Sequence, residues 1–311
     1  MLDTLLEPQL VITTNCSQYS SECGRNCYFR AQRDAYGIRE MPLEYFTKLM
    51  DIFEDYPIRQ LVFIGGEPTS HSQLGNLLKI SPYSLRLFSN GLFDQKRREL
   101  LLEHSPKFRP LFFHVTPFKK PRLFGNISAL SSLNLGLRVN VDFPHWNTDF
   151  LKQICDTVPI SIIGFSFSCP EVGINDLPQF KKFYLDFVSA FGEKRGIPIA
   201  LGRPIPPCIF DSDDEKAYAE KYSSWKGTCT AINDLTINPD GTMQVCSVLH
   251  STRTERRLEN LDDFKEILEQ LKIKESEIRS LPYSSEKCNS CPHKDISCQG
   301  GCLGYKNKKL N

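Results

Sequence analysis

The chain has 311 residues and a formal net charge of +1, a balance that leaves no broad electrostatic footprint for nucleic acid. Asp3 and Glu7 stand where a secretory signal would carry basic residues, and no apolar run approaches the ~18 residues that cross a bilayer. A protein of this kind is expected in the cytoplasm with reduced thiols, so its 12 cysteines point to metal ligation or catalysis and away from a disulfide framework.

In chain order, Leu10-Val11-Ile12-Thr13-Thr14 is a β-branched run that leads into Cys16, Cys23 and Cys27. Pro42 opens a helix with Leu43, Phe46, Met50 and Phe53 on one face. Leu61-Val62-Phe63-Ile64 reads as a buried strand ending in Gly65-Gly66-Glu67-Pro68. A short helix from Leu74 to Ile80 precedes a strand from Ser84 to Phe88, which runs into Ser89-Asn90-Gly91. Further strands are expected over Leu111–Val115, Leu135–Val141 and Ile160–Phe167, with helices over 93–103, 125–133, 147–156 and 177–194. Strands alternating with helices indicate parallel βα units, and the polar and glycine-rich signals fall just after strands, where such folds build their sites. The expected fold class is therefore α/β, a partial barrel of six βα units over residues 1–202.

Residues 203–311 read differently. Arg203-Pro204-Ile205-Pro206-Pro207-Cys208 is an extended connector. Leu235-Thr236-Ile237 and Met243-Gln244-Val245 flank the turn sequence Asn238-Pro239-Asp240-Gly241, which predicts a hairpin with Cys229 and Cys246 on either side. A helix carrying Leu261, Phe264, Ile267, Leu268 and Leu271 on one face follows, and the tail holds Cys288, Cys291, Cys298 and Cys302.

Three thiols in a loop after the first strand can hold three irons of a [4Fe–4S] cluster, or form part of a zinc site. The cysteine loop, Gly-Gly-Glu-Pro and Ser-Asn-Gly at the ends of successive strands resemble the radical S-adenosylmethionine (SAM) superfamily over residues 9–91. The spacing here is C-x6-C-x3-C, where that family usually has C-x3-C-x2-C. The resemblance implies a partial (β/α)6 barrel of the TIM type in which Cys16, Cys23 and Cys27 bind the cluster and Gly65, Gly66 and Glu67 hold the methionyl amine of SAM. Ser89 and Asn90, with Arg138 and Asn140 on one face of the fifth strand, are the other expected SAM contacts. Cys169 and Glu171, after the sixth strand, are candidates for chemistry on the substrate.

Cys229-x11-Gly241-x4-Cys246 followed by Cys288-x2-Cys291-x6-Cys298-x3-Cys302 resembles the small cysteine-rich SPASM extension of that superfamily, without its closing cysteine. The resemblance implies one or two auxiliary [4Fe–4S] clusters. Cys229, Cys246 and Cys302, with Cys208 as an upstream ligand, would serve one, and Cys288, Cys291 and Cys298 the other. In the shorter twitch variant, Cys229, Cys246, Cys288 and Cys291 share a single cluster. The implied activity is radical chemistry on a ribosomally made peptide (crosslinking, oxidation or epimerisation), with a flavodoxin- or ferredoxin-type electron donor. Ser247 stands where sulfatase maturases carry Asp, which argues against that reaction. No leader-recognition segment is expected ahead of the first strand, so a peptide would dock directly or through a separate recognition protein. Dehydrogenation of a small metabolite, or a non-catalytic iron–sulfur or zinc protein, are the other readings. No nucleic-acid or membrane partner is expected.

Overall fold

A computed structural model describes residues 6–18, 27, 29, 33–34, 37–118, 120–143, 146–168, 175–225, 229, 235–282, 285–291, 293, 298 and 300–306. The chain divides into two compact units. The first is Met1–His114, Lys120–Leu135 and Ala231–Ser276; the second is Val115–Lys119, Gly136–Thr230 and Glu277–Asn311.

The first unit opens as the apolar pattern requires. β1 (Gln9–Thr13) is followed by α1 (Leu43–Phe53), β2 (Leu61–Gly65), α2 (Leu74–Ile80), β3 (Leu85–Ser89), α3 (Gln95–Glu103) and β4 (Phe108–Val115). These four strands pair in parallel in sequence order. Every residue of β2 is buried, as expected of a strand covered on both faces. Because each helix returns the chain to the start of the next strand, the loops after β1, β2 and β3 all leave the same edge of the sheet. α4 spans Pro121–Ala129, four residues earlier than the periodicity suggested. Pro121 sets the start, since a proline at the first helical position has its φ already fixed and lacks only an N–H that would have had no helical partner.

The second unit carries β5 (Leu135–Val141), α5 (Asp149–Thr157), β6 (Ile162–Phe167), α6 (Leu177–Phe187), β7 (Ile199–Leu201), α7 (Asp213–Tyr222) and β8 (Ser223–Ser224). β5 to β8 are again parallel and in sequence order. Their core is aromatic. The fully buried Phe165 ring meets those of Phe167, Phe183, Tyr184 and Phe187 at centroid distances of 5.2, 6.4, 5.3 and 4.9 Å.

The predicted hairpin is present as β9 (Thr236–Ile237) and β10 (Met243–Gln244), and it joins the first unit. β9 lies parallel to β1, with Gln9 opposite Thr236, so β1 sits between β2 and β9. α8 (Leu261–Ser280) follows, with Phe264 against Phe53 and Tyr56, and α9 (Leu303–Lys306) is the last described element. The fold is thus the parallel α/β class read from the sequence, with a cysteine-rich C-terminal region. Among the described residues no helix is long and apolar enough to cross a membrane.

Candidate functional site

In the first unit the loops after β1 and β2 are fastened together by backbone contact, and the loop after β3 joins them through a side chain. The amide of Gly66 donates to the Thr13 carbonyl at 2.8 Å and that of Glu67 to the Asn15 carbonyl at 2.7 Å. A Cβ on Gly65 would stand 2.1 Å from the Thr13 oxygen, and one on Gly66 2.4 Å from the Asn15 oxygen. Both glycines are therefore required for the approach of the two loops, and Gly65 also has a φ of 142°.

Glu67 is the centre of this arrangement. One carboxylate oxygen accepts from the Thr69 amide (3.1 Å), the Thr69 hydroxyl (2.6 Å) and the Ser89 hydroxyl (2.8 Å). The other accepts from the Asn90 amide at 2.6 Å. Burial holds the Glu67 carboxyl above the ordinary carboxylate range, and the hydrogen bonds from Asn90, Thr69 and Ser89 pull the other way without cancelling it. The side chain thus locks the β2 loop to the β3 loop, a buried charge tolerable only because donors surround it.

Cys16 lies at the same edge. The Asn90 side-chain amide points at its Sγ at 3.9 Å, and the Gln18 amide donates to that sulfur at 3.4 Å. Cys27 packs against the group formed by Val11, Phe29, Val62 and Ile64. Cys23, Cys169 and Glu171 lie outside the described residues. Asn126 of α4, a buried polar residue at an apolar helix position, donates to the carbonyls of Gly91 (2.8 Å) and Phe93 (3.0 Å). It fixes the loop that presents Asn90. The sequence signal for it was a lone amide between Leu123 and Ile127, which are buried beside it.

Arg138 and Asn140 lie on β5 in the second unit and share a face, as the alternation required. The Arg138 Nε donates to Asn140 Oδ1 at 3.3 Å, and an Nη donates to the Ser166 hydroxyl at 2.6 Å.

Also in the second unit, partial desolvation and then the nearby thiols of Cys298, Cys288 and Cys291 push the Cys208 thiol up to about 11. These four cysteines therefore share a neighbourhood. The Gly300 amide donates to Cys298 Sγ at 3.3 Å, and Cys298 and Cys302 are buried. The Cys229 carbonyl accepts from Arg279 at 2.6 Å. Cys246 follows β10 in the first unit, its carbonyl accepting from the Gln244 side chain at 2.9 Å. No disulfide joins the ten described cysteines. Among the described residues, no three His, Cys, Asp or Glu side chains converge on the position of a single metal ion.

Neither a protein-family model nor a curated protein matches the sequence. The fold, however, is that of SuiB from Streptococcus suis. The crystal structure of SuiB bound to S-adenosylmethionine matches with a TM-score of 0.66 at 16% identity, over 99% of this chain and 74% of that one. SuiB bound to precursor peptide SuiA matches with a TM-score of 0.62 at 15% identity, over 98% and 71% of the respective chains.

Proposed function

We propose that this chain is a radical SAM enzyme acting on a ribosomally synthesised peptide. The observation that carries the proposal is the clamp at the strand ends. Glu67 ties the Gly-Gly-Glu loop to Ser89 and Asn90, while Asn90 faces the sulfur of Cys16. Three consecutive strands thus deliver a thiol, two side-chain-free backbone positions and an aimed amide to one edge. The fold shared with SuiB, which binds SAM and a precursor peptide, supports the same reading.

The donor set suits an iron–sulfur cluster. Soft thiolates are its ordinary ligands, and N–H groups directed at their sulfurs tune such centres. Cys16, Cys23 and Cys27 would hold it. A cluster held there would supply one-electron reduction of SAM, the source of the hydrogen-abstracting chemistry on the substrate. The chain's own contribution is placement. Gly65 and Gly66 let the β2 loop close on the loop that carries Cys16, Glu67 ties that backbone to the β3 loop, and Asn90 orients toward Cys16. The backbone so fixed would present itself to the methionyl amine. Because Cys208 feels Cys298, Cys288 and Cys291, we assign these four to an auxiliary cluster, in place of the grouping of Cys208 with Cys229, Cys246 and Cys302 that the resemblance implies. In this reading residues 1–202 carry the radical chemistry and 203–311 the auxiliary clusters, with electrons from a flavodoxin- or ferredoxin-type donor in the cytoplasm.

The test is anaerobic reconstitution with iron and sulfide, then assay of 5′-deoxyadenosine formed from SAM under reduction. Co-expression with the adjacent small open reading frame and peptide mass spectrometry follow. Loss of about 2 Da per site is expected for a crosslink or oxidation, from departure of two hydrogens, whereas deuterium uptake at unchanged mass means epimerisation. SAM cleavage with an unmodified peptide would move the substrate to a small metabolite. No cleavage by a protein with a reducible cluster would sink the enzyme reading.

A further inference from the structure

The stretch between Thr14 and Gly37 carries Cys16, Cys23 and Cys27, and the fold ties its two ends together. The Thr14 amide donates to the Arg39 carbonyl at 2.9 Å, and Thr13 bridges Glu40 in antiparallel fashion. The buried Thr14 hydroxyl accepts from the Arg39 amide at 2.8 Å and donates to the Gly37 carbonyl at 2.9 Å. The Met41 amide then donates to the Ile12 carbonyl at 2.8 Å, so the returning leg runs along the leg that entered. Both legs rest on the loop after β2. On the entering leg, the Asn15 carbonyl accepts from the Ser70 hydroxyl at 3.2 Å as well as from the Glu67 amide. On the returning leg the acceptor is the Met41 carbonyl, 3.0 Å from His71 Nε2. The Gln73 amide donates to His71 Nδ1 at 3.0 Å, which leaves the ring proton on Nε2 to make that contact. His71 is buried, and beside it the Glu40 carboxylate accepts from the Ser72 amide at 3.0 Å.

We propose that Thr14 and His71 are positioning residues for the cluster ligands: the Thr14 hydroxyl closes the mouth of the cysteine loop, and His71 pins its returning leg to the loop that carries Gly66 and Glu67. The inference rests on the reading of Cys16, Cys23 and Cys27 as cluster ligands. Their C-x6-C-x3-C spacing puts more chain between the thiols than the usual C-x3-C-x2-C. A longer loop loses more entropy when its thiols are brought to one point, and a mouth already closed before iron binds reduces that loss. The choice of residue fits the task. Valine has the shape of threonine, but only a hydroxyl can accept from one backbone group and donate to the next. An apolar side chain in place of His71 would likewise remove the donor to Met41 and the acceptor for Gln73. Every residue of the clasp belongs to the first unit.

The experiment follows iron release from the anaerobically reconstituted full-length protein to a ferrous chelator, bathophenanthroline disulfonate. Electron paramagnetic resonance spectra of the reduced protein are recorded before and after SAM is added. A variant with Cys16, Cys23 and Cys27 changed to alanine identifies the phase of release that belongs to their cluster. Thr14→Val should speed that phase about tenfold and leave auxiliary iron at its wild-type rate. Thr14→Ser, which keeps the hydroxyl, should stay within about twofold of wild type. His71→Leu should act like Thr14→Val, and His71→Gln, which keeps an N–H donor, should recover part of the difference. Gly37→Ala is a milder probe, since its Cβ would meet nothing within 4 Å but its φ of 73° strains any residue other than glycine. It should speed the phase about threefold with the fold intact. In Thr14→Val the change that SAM makes in the spectrum should also shrink. Circular dichroism confirms that each variant is folded; if Thr14→Val is not, Gly37→Ala decides alone. An unchanged rate in the folded variants overturns the clasp. So does Thr14→Ser releasing iron as fast as Thr14→Val, because shape and not the hydroxyl would then matter. Equal acceleration of every iron phase overturns it as well, since that marks a general loosening of the fold. A triple alanine variant that keeps every wild-type phase overturns the cluster reading itself, whatever the Thr14 variants do.

Discussion

Glu67 sets how firmly the site is built, because two of its hydrogen bonds come from Thr69 in its own loop and two from Ser89 and Asn90 at the end of β3. Replacing it with alanine removes the acceptor for the Thr69 and Asn90 amides and for two hydroxyls. Leaving buried donors unmet costs about 1–3 kcal/mol. Urea unfolding of Glu67→Ala should show that loss, and SAM binding should weaken with it. A Glu67→Gln variant must put an N–H₂ against one of these donors, so it should recover only part of the stability. The pH dependence has a definite sign. Between the unfolded value and the raised folded one, the folded carboxyl holds a proton that the unfolded chain has already given up. Its contribution is complete below the unfolded value and is lost as pH rises through the raised folded one. Wild type should therefore lose stability relative to Glu67→Gln as pH climbs through the carboxylate range, and parallel curves for the two would refute the assignment.

At the scale of elements, the hairpin β9–β10 shows the opposite sign. Burial alone would raise the Asp240 carboxyl, but the Thr242 hydroxyl and amide and the Arg253 guanidinium outweigh it and hold the group below the usual range. Its stability contribution is present above the unfolded value and disappears as pH falls through the folded one. Asp240→Asn should cost about 1–2 kcal/mol at neutral pH. The difference from wild type should vanish in acid, and a pH-independent difference would mean that the turn depends on shape alone. This hairpin was legible because Pro-Asp-Gly turn chemistry is local, as were the six strands marked by apolar runs. β7, α7 and β8 were missed. Only Ala219 of α7 is buried, so the helix has no apolar stripe to read, although Ser212 and Glu215 form a capping pair that marks its start. The cysteine, Gly-Gly-Glu and Ser-Asn signals of the site were equally local. Asn126 and Ser166 were not, since each bonds to a residue brought to it only by the fold.

For the molecule as a whole, the division of thiols predicts how iron is lost. A variant with Cys16, Cys23 and Cys27 all changed to alanine should lose about four irons and all SAM cleavage while keeping its auxiliary iron. Cys208→Ala should lower iron and sulfide without abolishing reductive SAM cleavage. Iron and sulfide analysis with electron paramagnetic resonance reads both outcomes, and full iron content in the triple variant would remove those cysteines as ligands. The pairing of Gln9 with Thr236 has a consequence of another kind. β1 leaves the ribosome more than 200 residues ahead of the strand that covers its outer edge, since Gln9 pairs with Thr236. At roughly 5–20 residues per second, that edge waits on the order of tens of seconds for its partner. During synthesis the segment that leads into Cys16 therefore stands open on one side until β9 has been made, so the order of synthesis, more than any local folding step, decides when it closes.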